Sequence, residues 1–430
     1  MLEKKIINKN FSVAIIGLGY VGLPLAVRYL KKKIKVYGID NDIVKIKKLR
    51  LGKSYINSLK NSDLNFFKKN KSFVSNTYDN IEKSDVIIIC LPTPLKNNNY
   101  PNMDYLFSCA RNLKNILKGE KLIILESTVY PGASENFIKK LELKDKIGKK
   151  IYFSYSPERE NPGDKKFSYN ITPKVLAGYS NKCANLAKNV YRPIVKKIHI
   201  AKTLKIAEMS KLLENIYRAI NIALVNEMKI ISDKLNIDIH EVIKAASTKN
   251  FGFVKFEPGP GYGGHCIPID PIYLSWAAKK KGYEAKFIKT SLKVNNLMPR
   301  WIFNKIKNHF NKEKIRLKKI LILGISYKKN VNDDRESPSY ILIDILKKNK
   351  ISFDYYDPYF FKLKKGRNNQ SEKKRIKLSK NNISKYDCSI LMTDHDKINY
   401  KKILNFSKLI FDCRGVYKKM NVSSKKIINC

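Results

Sequence analysis

The segment Gly17-Leu18-Gly19-Tyr20-Val21-Gly22 constrains the fold more than any other stretch of the chain. A GxGxxG pattern alone is weak. Here a short apolar run from Ser12 to Gly17 leads into it, and an apolar helical pattern from Leu23 to Lys31 leaves it. A second run, Lys35 to Ile39, then ends in Asp40, eighteen residues after the last glycine. Strand, glycine turn, helix and strand in that order make one βαβ unit. The first glycine permits the tight turn, the second lets a pyrophosphate approach the backbone, and the third lets the helix pack on the strand, while the helix N-terminus offers its N–H groups to the phosphates. Asp40 is placed to accept ribose hydroxyls and would repel a 2′-phosphate, so the expected cofactor is NAD rather than NADP.

Further strand signals at Asp85 to Leu91 and Lys121 to Leu125 each end in a loop, Leu91-Pro92-Thr93-Pro94 and Glu126-Ser127-Thr128. Alternating strand and helix over the first ~200 residues predicts a doubly wound parallel sheet, whose ligands sit at the carboxyl ends of the strands. From Thr203 to about Asn236 the pattern is one long helix without Pro or Gly, ~50 Å at 1.5 Å per residue. Helical segments continue to about His309, interrupted by the glycine-rich stretch Glu257 to Cys266. A second strand-turn-helix-strand series starts at Ile320-Leu321-Ile322-Leu323-Gly324, reaches Asp357-Pro358 and ends with strands near Ser389 to Met392 and Leu409 to Asp412. The expected fold class is α/β, with two Rossmann-like doubly wound domains joined by a helical middle domain with a long central helix. The expected boundaries are 1–200, 201–312 and 313–430. Lys362 to Lys385, rich in charge and Asn, reads as a mobile surface loop.

Composition narrows the classes of function. With 43% hydrophobic and 29% charged residues over 430 positions, about three domains can each bury a core. The excess of 86 Lys and Arg over 37 Asp and Glu gives a formal charge of +49, which raises a polyanion-binding protein as an alternative. The lysines are spread through every segment rather than gathered into an arm or stripe, so a broadly basic solvated surface is the preferred reading, with no nucleic-acid partner. Seven cysteines, at 90, 109, 183, 266, 388, 413 and 430, form no CxxC pair and no metal-ligand spacing; scattered and odd in number, they argue for reduced thiols and a cytoplasmic protein. No apolar run approaches the ~20 residues that span a bilayer, so no membrane insertion is expected. Lys4 and Lys5 ahead of the apolar stretch from Phe11 imitate a secretory signal, but no small-residue cleavage site follows.

Two further groups of residues carry chemistry. Lys211, Asn215 and Arg218 fall at i, i+4 and i+7 on the long helix and form a narrow polar stripe beside Met209, Leu212, Leu213, Ile216 and Ile220. Taken alone, a solvated face and a functional one are equally good readings. Cys266 follows Gly-Tyr-Gly-Gly-His, a stretch unable to hold a regular helix, whose amides can bind an anion or steady an oxyanion. Asp270 comes four residues later. A thiol, a glycine loop and a carboxylate beside a dinucleotide-binding unit suggest oxidation through a covalent thiol adduct.

At this point the chain resembles the UDP-glucose/GDP-mannose dehydrogenase family over nearly its whole length. Seven motifs carry the resemblance, in order: the GxGxxG unit, Leu91-Pro92-Thr93-Pro94, Glu126-Ser127-Thr128, Ser156-Pro157-Glu158-Arg159, the Lys211/Asn215 helix, Gly263-Gly264-His265-Cys266 through Asp270, and Lys328-Lys329 leading to Asp334-Arg335-Glu336-Ser337-Pro338. Within the family, Pro157 to Gly163 and Gly263 to Pro271 are most similar to the UDP-N-acetylglucosamine 6-dehydrogenases. The UDP-glucose enzymes tend to carry Ser before the Cys and a second glutamate where Pro162 stands here, so no role is transferred from that glutamate.

The resemblance implies a four-electron oxidation of the C6 alcohol of a UDP-sugar to a carboxylate, with two NAD+ in succession, through a thiohemiacetal and thioester on Cys266. UDP-GlcNAc is the first choice of substrate, and UDP-GalNAc, UDP-ManNAc and UDP-glucose are alternatives; the product would supply surface polysaccharide. It further implies that Lys211 and Asn215 stabilise oxyanions and that Glu158 and Asp270 share the activation of water in an undivided way. Gly17, Gly19, Tyr20, Val21, Gly22, Asp40, Lys45, Thr93, Thr128 and Arg335 would lie along NAD. Arg159, Glu160, Lys211, Asn215, Arg218, Gly263, Tyr327 and Lys328 would face the UDP-sugar. His265 reads as a shape or substrate contact ahead of a group that lowers the thiol pKa. A homodimer through the middle helices is the implied assembly.

Overall fold

The computed structural model describes residues 1–56, 59–96, 99–159, 171–264, 267–363 and 373–430. They pack as two compact units, Met1–Glu214 with Ile272–Tyr283, and Asn215–Pro271 with Glu284–Cys430.

The first unit is built on eight strands: β1 (Ser12–Ile16), β2 (Lys35–Ile39), β3 (Val74–Ser75), β4 (Val86–Ile89), β5 (Lys121–Leu125), β6 (Ile151–Tyr155), β7 (Lys174–Gly178) and β8 (Ile198–Ile200). Their order across the sheet is β3-β2-β1-β4-β5-β6-β7-β8. The order reverses between β1 and β4, which opens the crevice at their carboxyl ends where such sheets hold ligands. β1, β4, β5 and β6 are buried along their whole length, as strands covered on both faces must be. The aliphatic runs of β1, β4 and β5 follow from that. The sheet departs from the all-parallel expectation at one place: β7 runs antiparallel to β6. Tyr29, on the helix Gly22–Lys31, is fully buried and donates its hydroxyl to the Val190 carbonyl at 3.3 Å, tying that helix to Asn181–Tyr191.

The second unit holds an all-parallel sheet of β9 (Lys319–Leu323), β10 (Ser352–Tyr356), β13 (Cys388–Leu391), β14 (Ile410–Asp412) and β15 (Ile427–Asn429), in the order β10-β9-β13-β14-β15. Between β10 and β13 the hairpin of β11 (Lys362–Leu363) and β12 (Lys373–Lys374) pairs antiparallel. A short helix, Lys380–Ile383, follows, with Ile383 fully buried. The expected surface loop from Lys362 to Lys385 is therefore corrected for its described residues. Charge density suggested disorder, but Arg375 donates to the Asp357 carbonyl at 2.8 Å and Lys373 to the Phe353 carbonyl, which anchors the segment to β10 and the residue after it.

The long helix runs Leu204–Lys234, 31 residues, within two residues of its sequence-read ends. Its buried stripe runs through Leu204, Ala207, Glu208, Lys211, Leu212, Ile216, Ala219 and Ala223, with steps that keep to one helix face, and it also buries Asn226, Lys229 and Ser232. A second apolar stripe on the same helix is exposed: Ile206, Met209, Leu213, Tyr217, Leu224, Met228 and Ile231. Helix Lys286–Lys312 carries Pro299 in its interior. Among the described residues no helix is long and apolar enough to cross a membrane.

Candidate functional site

In the first unit the glycine turn has the geometry its sequence predicts. Gly17 sits at φ +92°, and a Cβ there would lie 2.6 Å from the Cys90 carbonyl oxygen; a Cβ on Gly22 would lie 1.9 Å from the Gly17 oxygen. Both positions exclude any side chain. A Cβ on Gly19 would meet nothing within 4 Å, so bare backbone faces open space just ahead of the helix Gly22–Lys31. Asp40 is buried and fixed by main chain, accepting Leu18 N–H at 2.9 Å and Asp42 N–H at 3.0 Å. Lys45 reaches the same carboxylate at 3.1 Å, so its ammonium neighbours the acid that follows β2. Partly exposed backbone at Gly19, a helix N-terminus and a fixed acid after β2 fit a dinucleotide. Tyr20 is exposed and Val21 partly so.

The loops after β4 and β5 are clipped together. Thr93 Oγ1 donates to the Thr128 carbonyl at 2.8 Å, and Ser127 Oγ to the Leu91 carbonyl at 2.7 Å. Tyr273 donates to the Thr93 carbonyl at 2.9 Å. These contacts hold Thr93 and Thr128 side by side at the carboxyl edge of the sheet.

Further along that edge, Glu158 Oε1 accepts Arg159 N–H at 2.9 Å, and its Oε2 lies 3.6 Å from Lys174 Nζ. Lys174 also lies 3.0 Å from the fully buried Glu126, which accepts the Tyr191 hydroxyl. Burial raises the Glu126 carboxyl; it would lower Lys174, but the Glu126 and Glu158 carboxylates outweigh it and push the ammonium up. Arg159 pairs with Glu214 at 2.8 Å and donates to the Pro173 carbonyl. Glu160 lies outside the described residues.

On the long helix Lys211 is 8% exposed, Asn215 is partly buried and Arg218 is exposed. The stripe read from sequence thus passes from the buried face to solvent within two turns. Glu208, three residues before Lys211, accepts the N–H groups of Gly132 and Ser134 at 2.6 and 2.8 Å, capping the helix Ala133–Leu141 and anchoring this end of the long helix.

In the second unit Asn215 donates its amide to the carboxylate of Asp270, the buried first residue of the helix Asp270–Lys279. The glycine-rich loop is held by a chain of buried amides: Gly259 N–H donates to Asn226 at 2.9 Å, Asn226 to Asn295 at 2.9 Å, and Asn295 to the Ala219 carbonyl at 3.0 Å. Gly264, at φ +90°, donates its N–H to the Arg335 carbonyl at 2.8 Å, and a Cβ there would strike the Tyr327 ring at 2.8 Å. Gly263 meets Tyr327 and Glu336 as closely. The loop containing Tyr327, Lys328 and Arg335 therefore packs on the glycine-rich loop, while the Arg335 side chain pairs with Asp333 at 2.6 Å. His265 and Cys266 lie outside the described residues.

Lys174, Glu208, Asn226 and Asn295 are not among the residues singled out from the sequence. Glu208 and Asn226 carried a signal, since both fall on the apolar stripe of a helix where an unpartnered polar group is costly. Lys174 carried none, because its partners are distant in sequence.

Residues 11–195, 205–297 and 321–419 match in turn the NAD binding, central and UDP binding domains of the UDP-glucose/GDP-mannose dehydrogenase family. The chain is 36% identical over 359 residues to the UDP-N-acetyl-D-glucosamine 6-dehydrogenase of Pseudomonas aeruginosa, covering 82% of this chain and 83% of that protein. It is 31% identical over 441 residues to the UDP-N-acetyl-D-mannosamine dehydrogenase of Methanococcus vannielii, covering 99% and 95%. The solved structure of a UDP-D-ManNAc dehydrogenase from Pyrococcus horikoshii matches with a TM-score of 0.85 at 29% identity, covering 97% of this chain and 98% of that one.

Proposed function

Because the chain belongs to the UDP-glucose/GDP-mannose dehydrogenase family, and so is an NAD-dependent oxidoreductase of UDP-sugars, we propose that it oxidises the C6 alcohol of UDP-GlcNAc to the carboxylate. The observation that carries the chemistry is the part-buried Asn215–Asp270 pair, formed one helical turn after Lys211 and four residues after Cys266 in sequence.

NAD+ supplies the hydride acceptor for both oxidations. The turn of Gly17, Gly19 and Gly22 with Asp40 holds it, and Tyr20, Val21, Lys45, Thr93, Thr128 and Arg335 line it. The first oxidation leaves an aldehyde at C6. The Cys266 thiolate adds to it, giving a thiohemiacetal; loss of the second hydride leaves a thioester, and water releases the acid. The balance is one alcohol, one water and two NAD+ giving one carboxylate, two NADH and three protons. Lys211 and Asn215 stabilise the oxyanion at each stage, and Asp270 orients the Asn215 amide by accepting from it. That leaves Glu158 as the base for the hydrolytic water. Arg159, Glu160, Arg218, Gly263, Tyr327 and Lys328 contact the UDP-sugar. The division into residues 1–200, 201–312 and 313–430, a homodimer that covers the exposed apolar stripe of the long helix, and a cytoplasmic location in the supply of surface polysaccharide belong to the same proposal.

The N-acetylglucosamine assignment rests on the Pro157 to Gly163 and Gly263 to Pro271 sequences and on the Pseudomonas relative. UDP-ManNAc, its C2 epimer, is the second reading, favoured by the Methanococcus and Pyrococcus relatives. NADH formation with UDP-GlcNAc, UDP-GalNAc, UDP-ManNAc and UDP-glucose decides between them. UDP-GlcNAc should give the highest kcat/KM. A higher value for another sugar overturns the sugar assignment, and no NADH with any of the four overturns the proposed reaction.

A further inference from the structure

Under the carboxyl edge of the first sheet lies a charge cluster that the oxidation steps leave unassigned. Lys174, at the start of β7, has 4% of its side chain exposed; Glu126, just after β5, has none and Glu158, beyond β6, has 14%. The ammonium lies 3.0 Å from Glu126 Oε1 and 3.6 Å from Glu158 Oε2, over the Tyr191 ring at 4.7 Å. The Cys90 thiol lies 3.9 Å from Glu126 Oε2.

Stability is a poor reason for this arrangement. A buried ion pair returns little more than its desolvation costs, and well-packed apolar residues of similar volume serve as well or better. Two carboxylates on one buried ammonium are less favourable still. What the cluster does achieve is geometric: Glu158 Oε1 is held by Arg159 N–H and Oε2 faces Lys174, so both carboxylate oxygens have fixed neighbours. A base that must meet a water at one point gains from a locked carboxylate plane.

We propose that Lys174 is a positioning residue for the hydrolytic step, spanning Glu126 and Glu158 and so fixing the carboxylate that activates water. The inference rests on Glu158 being that base. Loss of Lys174 should leave both oxidations intact and slow only release of the acid.

The test follows NADH by rapid mixing with excess NAD+ and UDP-sugar, and the quenched protein by mass spectrometry. Lys174→Met should release two NADH per subunit in a burst at close to the wild-type rate. Steady-state turnover should then fall about 10- to 100-fold, toward the range for loss of a general base, with an acyl adduct accumulating at Cys266. Lys174→Arg keeps the cation and should restore most of the turnover. Because Lys174→Met strands the buried Glu126 carboxylate as well as Glu158, Lys174→Met/Glu126→Gln removes the buried pair together and should show the same burst and stall. A wild-type steady state in the methionine variants overturns the inference, and so does equal slowing of burst and steady state, the mark of a merely structural role. Glu158→Gln is run beside them. If it stalls while the Lys174 variants do not, this inference alone fails; if it does not stall, the base assignment beneath it fails.

Discussion

Cys266→Ser should fold, bind NAD+ as the wild type does, and release almost no uronic acid. Steady-state turnover should drop by at least about 10³-fold, within the losses seen when a covalent nucleophile is removed. The reason is the thiol's chemistry. A serine hydroxyl has a pKa far above that of cysteine, so it adds poorly to the C6 aldehyde, and any ester it forms hydrolyses more slowly than a thioester. Folding and dinucleotide binding are unaffected because residue 266 is remote in sequence from the glycine turn at residues 17–22. Mass spectrometry of the quenched chains reads the outcome: a sugar adduct at residue 266 on the wild type, or accumulating on the serine variant. Wild-type-like turnover by Cys266→Ser would show the covalent route to be wrong.

Lys211→Ala should lower kcat by about 10²- to 10³-fold, the effect of removing one preorganised oxyanion donor. Lys211 is 8% exposed on a helix whose end is fixed by Glu208, so its ammonium is held rather than tethered loosely in solvent. A charge kept in a low-dielectric setting acts more strongly on a developing oxyanion than the same charge in water. Lys211→Met, which keeps the stem, should lose nearly as much, separating the charge from the packing. The Cys266 thiol should remain open to alkylation in both variants. A kcat within about threefold of wild type for Lys211→Met would remove Lys211 from the oxyanion role.

The parts legible in the sequence are those with a local signature. The strand Lys35–Ile39 and the strand Lys121–Leu125 have the ends read from hydrophobic runs, and the long helix falls within two residues of its expected ends, because each repeats one period without interruption. Gly17, Gly22 and Asp40 were legible because turn, close approach and acid must occur at fixed spacing. The antiparallel β7 was not, since strand direction is set by its neighbour β6 and not by the residues of Lys174–Gly178. For the same reason the partnership of Lys174 with Glu126 and Glu158 left no trace in any single segment, and Asn226 stands out in sequence only as a polar residue on an apolar helix stripe, without its partners Gly259 and Asn295. The segment around Lys362 misled for a different cause: a charged composition reads as solvated, but two arginine and lysine donors to backbone carbonyls are enough to hold it.

One chain should carry a C6 alcohol through two oxidations to the acid, and the number of NADH formed per UDP-sugar consumed measures this. With UDP-GlcNAc limiting and NAD+ in excess, run to completion, two NADH should form per sugar and the product should be the uronic acid, with no free aldehyde. One NADH per sugar with an aldehyde product, from UDP-GlcNAc or from whichever UDP-sugar the protein turns over fastest, would contradict it.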